Sequence, residues 1–179
     1  MQGHGYRFEV IGPPFEEPGE RSQVSGPAHA EALAFYKASS VAGRNPDKTV
    51  LGADTIAWID GQIIGKPRDR ADAKRILTLL SGTTHDVITG AALVHAGADR
   101  RLIEYDVTVV RVRPLSDAMI EAYLDTGLWR GKAGAYGIQD EGDPFVEAIE
   151  GSRTNVVGLP MELLSRMFAT WCAELQPAS

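Results

Sequence analysis

One cysteine, Cys172, is present in 179 residues. That excludes an intramolecular disulfide and a cysteine-based zinc site, and it fits a reducing compartment, so a cytoplasmic protein is expected. No apolar run approaches the roughly 20 residues that span a bilayer. The opening residues MQGHGYRFEV have neither the basic start nor the apolar stretch of a secretory signal, and no membrane partner is expected. Basic blocks are missing too, and the net charge is -6, which argues against gripping long nucleic acid through its backbone. One small phosphorylated ligand remains open, because a single lysine or a divalent metal offsets charge locally. There is no repeat of fixed period and no low-complexity linker.

What is present is a chain of alternating strand and helix signals. Residues 5–11, GYRFEVI, alternate like a strand, and the Gly-, Pro- and Glu-rich stretch 12–27 reads as a loop. An Ala-rich helix is expected over 28–42. VLGADTIAWIDGQIIGKP, residues 50–67, reads as a strand ending at Asp54, followed by a hairpin turning at Asp60-Gly61. Ala73, Ile76, Leu77 and Leu80 mark one face of a helix over 69–80. Two long strands, 86–95 and 102–113, form an expected antiparallel pair. Ser116 can cap a helix running to about Thr126. A glycine-rich loop over 131–143, a strand over 145–149 and a helix after Pro160 complete an α/β reading with a mixed sheet.

Several residues invite chemistry. A carboxylate at a strand end, as Asp54 is read, lies where α/β sheets place ligands, although capping of backbone N–H groups explains it equally. Lys66, between Gly65 and Pro67, is either a phosphate contact or a solvated turn lysine. Glu16 and Glu17 are either solvated or, with Asp54, part of an oxygen-only magnesium site. Lys37, four residues after Leu33, can lay its stem along a buried helix face. In the loop from Lys132 to Gln139, small residues let backbone approach a ligand. Lys132 adds charge there, and Gln139 adds an amide suited to a base edge. The spacing matches neither a Walker loop nor a dinucleotide fingerprint. His85 reads as structural before catalytic, and Trp58, Trp129 and Trp171 read as packing.

In order along the chain, LGADT (51–55), IIGKP (63–67), LSGTTHDVITG (80–90), KAGAYGIQ (132–139) and NVVGLP (155–160) resemble the Maf family of nucleoside triphosphate pyrophosphatases, from about Gly5 to Phe168. The resemblance implies an elongated, mixed, twisted sheet flanked by helices, like that of inosine triphosphatases, with a central cleft, in one domain over 1–179. It implies hydrolysis of a nucleoside triphosphate to monophosphate and pyrophosphate with a divalent metal, Mg or Mn, and it implies a homodimer. Asp54 matches the proton acceptor and, with Glu17, the metal partner. Lys37 and Lys66 match phosphate-binding lysines. Thr55 and Gln139 match positions that track substrate choice, here of the dTTP and UTP branch.

Family members open with a strand and a loop of the form S-x-S-P-R-R that grips phosphate. This sequence contains no such segment, and it carries Asp140 where a glycine is usual. A short gene start is one expectation. The alternative to an active enzyme is a catalytically impaired nucleotide-binding protein linked to cell division.

Overall fold

A computed structural model describes residues 7–12, 24–138 and 145–173. In chain order the elements are α1 (Gly26–Ala42), β1 (Val50–Ile59), β2 (Gln62–Ile64), α2 (Arg70–Leu80), β3 (Thr84–His95), β4 (Arg100–Val112), α3 (Asp117–Thr126), β5 (Val146–Glu150), α4 (Arg153–Val157) and α5 (Met161–Ala173). The five strands form one sheet in the order β2-β1-β3-β4-β5, and every pairing between them is antiparallel. Helices flank it, as the α/β reading expects.

Local chemistry explains most boundaries. Asp60 and Gly61 both have positive φ, 49° and 79°, the geometry that turns a tight hairpin with the twist of its strands. Asp69 caps α2 by accepting from the Asp72 N–H, and Ser116 caps α3 by accepting from the Met119 N–H. In β4 the alternation buries Thr108, Val110 and Val112 and leaves Tyr105 and Val107 exposed.

Two expectations are corrected. Asp54 does not end a strand: β1 runs unbroken from Val50 to Ile59, so Asp54 sits in its middle, beside Gly90 of β3. The strand read over 5–11 is not formed over residues 7–11, which have no regular structure. Alternation becomes a strand only where the backbone finds a ladder, and here Phe8 and Val10 are 46% and 83% exposed. That segment is tied instead by an ion pair of Glu9 with Lys48. Residues 1–6 of the N-terminal stretch lie outside the described residues.

The sheet's two faces are covered differently. Helix α1 covers one face over β1 and β3, through Ala30, Ala34, Ala38 and Ala42, all fully buried. Four-residue spacing puts these methyls in one row. The row meets Gly52 and Gly90, where any Cβ would run into the helix backbone: Ala34 O and Ala38 N at Gly52, Ala30 and Glu31 N at Gly90. The other face carries two apolar clusters. One joins α2 and α3 to Ala57, Ile59, Val87 and Val110; the second joins α5 to Ala91 and Leu93. Between them runs a polar seam of Thr55, Thr89 and Thr108, with the short helix α4 lying over it.

Because the Gly52 contact is with helix backbone, a methyl there forces α1 off the sheet. Gly52→Ala is expected to cost about 1–3 kcal/mol and to lower the melting temperature by about 2–10 °C, read by thermal denaturation.

Candidate active site

A cleft of about 290 Å³ opens where the seam meets the edge of β1. Its floor is Ala53, Thr55 and Ala57 of β1 with Val87 of β3; its walls are the loop from Gly131 to Ile138 and the end of α4, Val156 to Gly158. Among the described residues, β2 pairs only with 57–59 of β1. The stretch of β1 before Ala57 thus has no β2 partner, and Asp54 and Lys37 line the cleft there.

Asp54 is buried and paired. Its Oδ1 accepts from Lys37 Nζ at 2.6 Å, with side-chain exposures of 6% and 18%. A buried carboxylate needs such a partner, and the close seating of α1 supplies it. Lys66 follows directly on the hairpin end, and Lys132 begins the glycine-rich loop. These two segments are joined main chain to main chain, Gly134 N–H to Gly65 O at 3.2 Å. The structure therefore gathers Asp54, Lys37, Thr55, Lys66 and Lys132 around one cleft. Glu16, Glu17, Gln139 and Asp140 lie outside the described residues.

The loop is also propped from below. His85 Nε2 and the Tyr136 hydroxyl lie 2.8 Å apart in the interior, with the rings edge to face. Burial holds the His85 pKa down at about 4. This histidine supports a cleft wall and does not line the cleft, in keeping with the structural reading. The tryptophans also behave as packing: Trp129 and Trp171 are buried, and Trp129 Nε1 donates to Leu124 O.

Asn155 carries no role in the sequence reading, yet it organises the opposite wall. Fully buried, it donates from Nδ2 to Val87 O and to Thr108 Oγ1, both at 3.0 Å, and its backbone carbonyl accepts from Thr89 Oγ1. Ser152 caps this helix by accepting from the Asn155 N–H. Its sequence signal was its place at the head of NVVGLP, one of the motifs that carry the family resemblance, as a polar residue opening an apolar run.

Chemically, three ammonium groups around one carboxylate suit a polyphosphate. Among the described residues no three His, Cys, Asp or Glu side chains gather as a metal set, and Asp54 is the one carboxylate lining the cleft. A single carboxylate, completed by water and substrate phosphates, is a donor set that magnesium accepts. Asp54 therefore fits a divalent ion.

The fold and cleft define an α/β protein with a lysine-ringed carboxylate at the edge of an antiparallel sheet. The family described as Maf-like protein matches residues 1–171. The dTTP/UTP pyrophosphatase of Salinibacter ruber is 46% identical over 179 residues, covering 96% of this chain and 88% of its own. That of Symbiobacterium thermophilum is 44% identical over 164 residues, 91% of this chain and 82% of its own. That of Pyrococcus furiosus is 39% identical over 161 residues, 89% and 84%. The chain belongs to the Maf-like family.

The depressed His85 pKa has a sign. The unfolded chain takes up a proton near pH 6.5 and the folded one only near pH 4. The folded state is therefore favoured fully above pH 6.5, and this contribution, roughly 3 kcal/mol, is lost as pH falls toward 4. Denaturant titrations across that window are expected to show a shallower pH slope in His85→Gln than in the unchanged protein.

Proposed function

We propose that the protein is a nucleoside triphosphate pyrophosphatase that hydrolyses dTTP and UTP to the monophosphate and pyrophosphate. The observation that carries this reading is Asp54, buried yet lining a cleft with Lys37, Lys66 and Lys132. It stands in a chain whose relatives over nearly its whole length are named dTTP/UTP pyrophosphatases.

In this reaction a water oxygen bonds to the α-phosphorus. The bond to the bridging oxygen breaks with its electron pair on the pyrophosphate, and Asp54 accepts the water's proton. Lys37, bonded to Oδ1, fixes the carboxylate's orientation, as a charge-assisted bond does. Lys66 and Lys132, which also line the cleft, take the departing phosphates, whose growing charge they offset. A divalent cation, Mg or Mn, would be held by Asp54 and Glu17 and would add charge neutralisation at the phosphates. Thr55 and Gln139 would meet the base.

Pyrophosphate release from dTTP or UTP with Mg²⁺ or Mn²⁺ is the direct test. Asp54→Ala is expected to lose about 10²–10⁴-fold in kcat while remaining folded. Lys66→Ala and Lys132→Ala are expected to weaken kcat/KM. Folded protein that releases no pyrophosphate at high enzyme concentration overturns the reading, and nucleotide binding without turnover would instead mark an impaired, nucleotide-binding protein.

A further inference from the structure

We propose that Thr89, a buried residue outside the cleft lining, sets the base preference of the site by fixing which way the Thr55 hydroxyl proton points. This rests on reading the cleft as a pyrimidine nucleotide site.

The inference follows from counting protons. Thr89 is fully buried, and its Oγ1 has two partners, the Asn155 carbonyl oxygen at 3.0 Å and Thr55 Oγ1 at 2.8 Å. A carbonyl cannot donate, so the single Thr89 proton goes to Asn155. The bond between the two threonines must then run the other way, from Thr55 to Thr89. Thr55 thus spends its only proton inward, and what it offers the cleft is lone pairs.

The surroundings hold that arrangement in place. The Asn155 carbonyl also accepts the Gly158 N–H at 2.9 Å, filling its second acceptor direction. The Asn155 side chain is pinned to Val87 O and Thr108 Oγ1. Thr108 Oγ1 in turn donates to Ser152 O. On the cleft side, residue 158 is a glycine at φ 104°, and a Cβ there would lie 3.2 Å from Thr55 Oγ1. Residue 158 therefore places no side chain over the hydroxyl.

An oxygen that can only accept distinguishes pyrimidines at one ring position. Thymine and uracil present a donor at N3, whereas cytosine presents a lone pair there. Two acceptors facing each other leave both unpaired, and sites that read a hydrogen bond reject such mismatches strongly. Thr55 therefore accepts from N3–H of thymine or uracil, and Thr89 keeps it from turning to donate to cytosine.

Calorimetry with the non-hydrolysable α,β-imido analogues of UTP and CTP, with Mg²⁺, tests this without turnover. The unchanged protein is expected to bind the UTP analogue at least about tenfold more tightly. Thr89→Val, nearly the same shape but without a hydroxyl, is expected to cut that ratio about tenfold, mainly by improving the CTP analogue. Thr89→Ser restores the hydroxyl and is expected to restore the ratio. Thr55→Val serves if Thr89→Val does not fold: it is expected to weaken the UTP analogue alone. An unchanged ratio in folded Thr89→Val or in Thr55→Val overturns the inference, as does equal binding of the two analogues by the unchanged protein. Discrimination in binding without pyrophosphate release supports this inference while rejecting the proposed reaction, and no binding of either analogue rejects both.

Discussion

The seating of α1 on β1 and β3 is the contact from which the cleft follows. A helix is normally held off a sheet by the side chains between them. Here alanines face glycines, and backbone meets backbone at Gly52 and Gly90. Little apolar area is buried per residue along this row, but the approach shortens the distance a lysine must span. Lys37, at the flank of the alanine row, reaches Asp54 in the adjoining strand. With bulkier residues in the row, the ammonium would be carried away from the carboxylate. An unpaired charge would then remain in a buried position, which is costly in a way that its pairing largely offsets.

On the other face the constraint is polar. Two apolar clusters, one under α2 and α3 and one under α5, could have merged into a continuous core. The threonine seam and Asn155 keep them apart, and the cleft occupies the interval. Hydrogen bonds tie its members to one another, and a network of this kind specifies one arrangement. The charge pattern has the same local logic. The whole chain carries -6, yet the cleft has three lysines against one aspartate among its described lining. A cationic cleft in an acidic protein draws polyanions to one place.

Most elements could be read from the sequence, because their signals are local. The Asp60-Gly61 turn, the Ser116 cap and the spacing of Ala73, Ile76, Leu77 and Leu80 each lie within a few residues of what they specify. The position of Asp54 was misread for an instructive reason. Gly52-Ala53 looks like punctuation in one dimension, but Gly52 is small because a helix lies against it. Likewise GYRFEVI has strand alternation, while residues 7–11 find no ladder. Asp54, Lys37, Thr55, Lys66 and Lys132, which line the cleft, stand out in the sequence chiefly through the order of motifs that resembles a family. What joins them was not. Thr55 and Thr89 are 34 residues apart, His85 and Tyr136 are 51, and Thr89 and Asn155 are 66. Hydrogen bonds over such separations leave no periodic trace.

The bond between Gly134 N–H and Gly65 O has an evolutionary consequence. It fastens the segment bearing Lys132 to the segment bearing Lys66 using atoms that every residue except proline possesses in full. Side chains along the loop can therefore drift without loosening the frame that spaces the two ammonium groups. A side chain on the cleft floor such as Thr55 can change over a charge scaffold whose dimensions are set by the main chain.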